Sequence, residues 1–232
     1  MTSSINKRLV ALGLILFAVF LFLGLIVFSH SLQLLDESLF LQLSSPHVPL
    51  DGVMVYVSTY GQWAFWGLLV VLLWVFGRKG EKRMAFILVV TFIVAFLAGE
   101  LLKSVQFRPR PYDVLTGVRL LVTPSVNSSF PSGHALIVSA GAVASWLIVK
   151  GKRYAAPMIV EAALVCYSRI YVGVHFPLDV LAGCILGGCV ACLIVGISGA
   201  LTPVFTTILR IWVQSTKKLK YGYALLNRDS EE

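Results

Sequence analysis

Charge is scarce in this chain. Only 13% of its 232 residues are Asp, Glu, Lys or Arg, while 58% are hydrophobic. Soluble domains carry about a quarter charged residues, so that class is excluded and an integral membrane protein is indicated. A cleavable leader is not expected either. Lys7-Arg8 before a long apolar run resembles the start of one, but 30–44 offers no small-residue cleavage site, so the run is kept as a membrane span. Cysteine is sparse: Cys166, Cys184, Cys189 and Cys192 all fall inside apolar segments. The C-x-x-C at 189–192 would suggest redox or metal chemistry in a soluble protein. Beside Gly183, Gly187 and Gly188 it reads as small residues where helices pack closely, with no disulfide and no metal expected. The net charge of +8 would suit nucleic acid, but most Lys and Arg sit in short loops between apolar segments. Membrane lipids, not nucleic acid, are the expected surroundings.

What remains is a series of apolar runs near the length of about 20 residues that a spanning helix needs. They are expected at 9–28, 61–76, 84–102, 132–150, 155–171 and 178–199. Leu32, Leu35, Leu39 and Leu43 recur at helical spacing around Asp36 and Glu37, which predicts a short amphipathic helix on the surface. Trp63, Trp66 and Trp74 read as interfacial markers of the second span. The polar stretch 103–130, with Pro109, Pro111 and Pro124, reads as a loop, and His30 and His47 as exposed loop residues. Pro203 is expected to end the sixth span, and the tail beyond it, with Lys217, Lys218 and Lys220, to rest on the membrane. The fold class is thus an all-α integral membrane protein: six transmembrane helices, a short amphipathic surface helix after the first, one domain over 1–232, and a peripheral basic tail over 206–232.

Fourteen basic residues fall on one side of this arrangement and five on the other. Positive charge favours the cytoplasm, so both termini are expected inside. The five on the outer side are Lys103, Arg108, Arg110, Arg119 and Arg169. They run against the rule, and an anionic ligand is the simplest reason.

Three polar stretches point to the same ligand. Lys103, Arg110 and Arg169 offer a compact ammonium and two planar guanidinium forks, suited to phosphate oxygens. Arg108 also precedes a proline and is easily confused with Arg110. Pro131-Ser132-Gly133-His134 opens the fourth span, where Ser132 can cap the helix, free backbone N–H groups can receive an anion and Gly133 permits close approach. His175 and Asp179 lie four residues apart after Pro177. A carboxylate one helical turn away can orient an imidazole for attack on phosphorus, although Asp179 alone would pass for an ordinary helix-start charge. Glu100 is expected to pair with Lys103. Glu161, mid-span, has no assigned role beyond being protonated or hydrogen-bonded between helices.

Taken together, Lys103-(six residues)-Arg110-Pro111, Pro131-Ser132-Gly133-His134 and Ser168-Arg169-(five residues)-His175-(three residues)-Asp179 resemble the three signature motifs of the type 2 phosphatidic acid phosphatase superfamily. The resemblance implies a metal-free, cofactor-free lipid phosphatase with a six-helix core and a site at the extracytoplasmic face. It implies that His175 forms a phosphohistidine, Asp179 orients it and His134 protonates the leaving oxygen. Lys103, Arg110, Ser132, Gly133 and Arg169 would hold the phosphate. Expected substrates are membrane lipid phosphates: undecaprenyl pyrophosphate, phosphatidylglycerol phosphate or phosphatidic acid. A phosphotransferase using the same site is the alternative. An anion transporter is a weaker one, because apart from Glu161 the spans lack polar residues.

Overall fold

A computed structural model describes residues 5–44, 48–149 and 151–228, with side chains described to 216. Expectations for His47, Lys150 and the side chains of Lys217, Lys218, Lys220 and Arg228 lie outside the described residues. Among the described residues the chain is helical, with no strand. Helix α1 (Lys7–Phe28) starts where the Asn6 side chain accepts from the Leu9 N–H. It keeps large apolar side chains such as Phe22 and Leu25 outside, as a lipid-facing helix does. Helix α2 (Gln33–Leu43) follows at once.

A single helical rod then runs from Val48 to Val75. It comprises a 3₁₀ turn (Val48–Leu50), α3 (Asp51–Tyr60), a π-helical segment (Gly61–Phe65) and α4 (Trp66–Val75). Helix α5 (Lys79–Val105) is followed by the short α6 (Pro111–Val114), α7 (Gly133–Ile148), α8 (Lys152–Tyr171), α9 (Pro177–Ile197) and α10 (Thr202–Arg228). Four of these units are long and apolar enough to cross a membrane: α1, the 48–75 rod, α5 and α9.

Helix α9 is the hub, packed chiefly against α7 and α1. Its glycines make this possible. A Cβ at Gly183 would lie 2.6 Å from the Ser132 carbonyl oxygen, and one at Gly187 2.5 Å from that of Leu136. Only hydrogen fits there, so α7 and α9 meet backbone to backbone. On the other side Phe20 of α1 stacks on Phe130, and both join Leu136, Leu186 and Val190 in one buried cluster.

Several expectations are corrected. The second span starts well before residue 61, because polar and small residues at 51–60 fit a helix that packs on α8. Trp66 is not an interfacial marker: it is 2% exposed and its indole N–H donates to Glu161 Oε2 at 2.9 Å. The interhelical hydrogen bond expected of Glu161 is that one. Pro203 does not simply break a helix; it sits in the first turn of α10, where its missing N–H costs nothing. In α2 the leucines stay largely exposed, and the helix turns Asp36 and Phe40 inward instead.

Candidate active site

The three polar stretches converge where the starts of α7 and α9, the ends of α5 and α8 and the 106–132 loop meet. The serine pair Ser128-Ser129 folds this loop. Ser128 Oγ accepts from the Arg108 N–H at 3.0 Å, the Ser129 N–H donates to the Arg108 carbonyl at 2.9 Å, and Ser129 Oγ donates to the Pro109 carbonyl at 3.1 Å. Arg108 and Arg110 are thereby driven inward on a loop that sequence reasoning left shapeless.

Arg110 is 3% exposed. Its guanidinium donates to the Val174 carbonyl at 2.9 Å and to Asn127 Oδ1 at 2.7 Å, and one nitrogen lies 3.4 Å from His175 Nε2. Its backbone N–H is taken by Asp113 Oδ2, and Pro111 opens the short helix behind it. The cation is therefore fixed at both ends.

His175 is carried on the tight connection between α8 and α9. Gly173 holds φ +87° there, and a Cβ would lie 2.7 Å from the Arg119 carbonyl, so the turn requires glycine. Pro177 then starts α9, and Asp179 Oδ2 accepts from the Phe176 N–H at 3.0 Å. Asp179 is thus a helix-start carboxylate and also a neighbour of His175, with Oδ2 3.7 Å from the imidazole Nδ1, just beyond hydrogen-bond length. Burial, and then the cations Arg110, Arg169 and Lys103, hold the His175 imidazole well below its ordinary value of 6.5. It is neutral near pH 7, with a lone pair to give.

Ser132 is the N-cap residue of α7 by position, but its side chain does not cap the helix as expected. Its N–H donates to the Asp179 carbonyl at 2.9 Å, which joins the starts of α7 and α9. Its buried hydroxyl has no partner among the described residues. Lys103 Nζ would be 3.3 Å from a Cβ at Gly133 and pairs with Glu100 at 3.8 Å, as expected. Arg169 donates to the Ser58 carbonyl at 3.3 Å and to the Ser58 hydroxyl, and its Nε has no partner among the described residues. His134 lies within electrostatic reach of Arg169, His175, Lys103 and Arg110. With Gln62, Glu100, Lys103 and Gly133 it lines a cavity of about 160 Å³. All eight residues singled out in the sequence are therefore brought to one place.

Sequence reasoning missed the groups behind them. Arg108 donates to Asp179 Oδ1 and, at 2.7 Å, to Asp36 Oδ2, and it lies 4.6 Å from the centre of the Phe176 ring. Asp36 Oδ1 in turn accepts from the Leu178 N–H at 2.9 Å. Burial opposes the charge on Arg108, but Asp179 and Asp36 more than offset it and raise its pKa. Arg108 is thus a bridge between the surface helix α2 and the start of α9. Its sequence signals were an arginine out of place by the positive-inside rule and a following proline that made it resemble Arg110.

Chemically, the arrangement sets a neutral buried imidazole against three cations, a free hydroxyl and a helix start. Such a group of side chains can receive a multiply charged oxyanion and set an imidazole lone pair beside it. The sequence profile of the PAP2 superfamily matches residues 84–203, which include all eight. An undecaprenyl-diphosphatase of Sulfolobus acidocaldarius is 41% identical over 154 residues, 64% of this chain and 70% of its own. The undecaprenyl-diphosphatase BcrC of Bacillus subtilis is 28% identical over 177 residues, 76% of this chain and 90% of its own. Among solved structures, a transmembrane PAP2-type phosphatidylglycerolphosphate phosphatase of Bacillus subtilis is similar with a TM-score of 0.66 at 28% identity, over 79% of this chain and 94% of that one.

Proposed function

The chain belongs to the PAP2 superfamily, and from that premise we propose how its site works. It is a membrane lipid phosphatase, a phosphoric ester hydrolase. In our reading Nε2 of His175 attacks phosphorus. An N–P bond forms as the P–O bond to the lipid side breaks, and its electron pair stays on the leaving oxygen, which takes a proton from His134. Water then attacks phosphorus, passing its proton to His134, and the N–P electrons return to His175 as inorganic phosphate departs. Arg110, Arg169 and Lys103, with the Ser132 hydroxyl and the N–H groups at Gly133, neutralise the charge spread over the equatorial oxygens. Asp179 faces the imidazolium that develops.

The observation that supports this reading is the Arg110–His175 contact: a phosphate oxygen bound by this buried guanidinium, 3.4 Å from Nε2, would lie beside the attacking nitrogen.

The same reading takes six membrane crossings, adding α7 and α8 to the four apolar units. At about 1.5 Å per residue the 16-residue α7 is short of a bilayer core of about 30 Å, but Phe130 and Pro131 before it and Val149 after it lengthen the apolar stretch. Helix α8 carries Lys152 and Arg153 at its start and Arg169 near its end, leaving only Glu161 mid-span, bonded to Trp66. Both termini and the basic turns are then cytoplasmic, the tail from 206 lies along that surface, and the site opens at the outer face. A polyprenyl diphosphate, as in the names of the two relatives, is the substrate we favour.

The test is phosphate release from a panel of lipid phosphates in detergent, without added acceptor, by wild type and His175→Ala. Wild type should release phosphate from at least one lipid and the variant from none. Substantial turnover by the variant would remove His175 from the nucleophile role.

A further inference from the structure

The mechanism leaves one buried polar group beside the site unused. Gln62 is 4% exposed, its Oε1 has no partner among the described residues, and it lines the cavity that holds His134 and Lys103. An unpaired buried amide oxygen costs on the order of 1–3 kcal/mol, so a ligand that lets the amide turn and pair is the economical explanation of its place.

The backbone aims it there. Gln62 lies in the π-helical segment Gly61–Phe65, and such segments shift the side-chain register within a helix and recur at functional sites. Helix α8 pins the rod on both sides of this segment, through Arg169 to Ser58 before it and through Glu161 to Trp66 after it. Gly61 closes the approach, since a Cβ there would lie 2.5 Å from Val165.

Building on the reading above, we propose that Gln62 binds the lipid-side phosphate of a diphosphate substrate. In an in-line attack the leaving group departs on the side away from His175, where His134 waits to protonate it. In this reading the cavity next to His134 takes the leaving group, and its other walls, Trp63, Phe96 and Leu136, are apolar, as the first carbons of a lipid tail require. Its volume of about 160 Å³ equals roughly five waters' share of liquid, room for a phosphate group. In a diphosphate the leaving group begins with a phosphate; a half-turn of the Gln62 amide exchanges the unpaired Oε1 for its NH2, from which, with Lys103, the phosphate oxygens accept. In a monophosphate it begins with an ester oxygen on carbon, which gives the amide little to bind. Glu100 also lines the cavity, and Lys103 holds its carboxylate. Gln62 is therefore a specificity residue for diphosphates over monophosphates.

The experiment compares wild type, Gln62→Leu and Gln62→Glu in detergent, measuring kcat/KM for phosphate release from one polyprenyl diphosphate and from the matching monophosphate. The ratio of the two values should fall about 10- to 100-fold in Gln62→Leu, as for a lost hydrogen bond to a charged group. It should fall at least as far in Gln62→Glu, which sets a carboxylate against the phosphate. Turnover of either substrate shows that a variant is folded, and either variant alone decides the matter. An unchanged ratio, whether both activities fall together or neither does, overturns the assignment. If wild type hydrolyses neither lipid, or His175→Ala hydrolyses both, the phosphatase site itself is misread and this inference goes with it.

Discussion

Replacing Arg108 by alanine should be among the most damaging changes away from the reacting atoms. The substitution strips the partner from Asp36 and Asp179 at once, and both carboxylates are fully buried. Removing one member of a buried ion pair costs about 3–5 kcal/mol, because the remaining charge stays out of water without compensation. Two carboxylates sharing one cation place Arg108→Ala at the upper end. At roughly 2–4 °C per kcal/mol for a chain of this size, the melting temperature in detergent should drop by about 10–20 °C. Activity should fall further than stability alone explains. Asp179 would keep the Phe176 N–H and the Ser129 hydroxyl but lose its cation, and a misplacement of about 1 Å next to a reacting group can cost on the order of 100-fold in rate. Arg108→Lys should recover part of the stability and little of the rate, since a point charge cannot bridge two carboxylates as a planar fork does. Asp36→Asn, which leaves the Arg108–Asp179 contact in place, should be milder than either. Scanning fluorimetry and phosphate release on the same preparations measure both effects. Melting within about 2 °C of wild type with activity within about threefold, in Arg108→Ala, would refute the idea that this bridge sets the position of Asp179.

Two further outcomes follow from the same geometry. Because His175 has a depressed pKa in the folded protein, the unfolded chain takes up its proton first as pH drops below about 6.5. Native stability is then lost downward from that point, while above it His175 adds no pH dependence. Melting temperature between pH 7.5 and 5 should therefore fall less steeply for His175→Asn than for wild type, and parallel slopes would contradict a buried neutral imidazole. Gly187→Ala should force α7 from α9, since its Cβ meets main-chain atoms of Leu136 and Ala140 at 2.5 and 2.8 Å; overpacking of this kind costs about 1–3 kcal/mol, read as a melting temperature several degrees lower.

The motifs of the candidate site were legible because polar residues are conspicuous in an apolar chain and each motif is short. Ser132, Gly133 and His134 are consecutive, and His175 and Asp179 are one turn apart. The residues supporting them are polar too, but each acts across a gap that no local pattern spans. Arg108 reaches Asp36 over 72 positions and Arg169 reaches Ser58 over 111. Asp36 looked like the wet side of an amphipathic helix, because the leucines around it fixed the face and the buried arginine that reverses it is far along the chain. Trp66 misled for the same reason: tryptophan among apolar residues suggests a membrane boundary until the buried acid that accepts its N–H is found on another helix. Gln62 gave no signal, since a π-helical segment has no signature that composition reveals.

The hydrogen bond from the Ser132 N–H to the Asp179 carbonyl, with the close glycine crossing beneath it, joins two helix beginnings through peptide groups alone. Each beginning lies next to one of the two imidazoles. Their separation is therefore a property of the main chain, which mutation of a loop side chain does not erase. Apart from Arg108, Arg110, Ser132 and the serines that seat them, the 106–132 segment and the 48–75 rod can drift in sequence and, in the proposed reading, alter which head group is admitted, while the distance between the two imidazoles stays put. Selectivity and reactivity are thus free to evolve on separate parts of the same small protein.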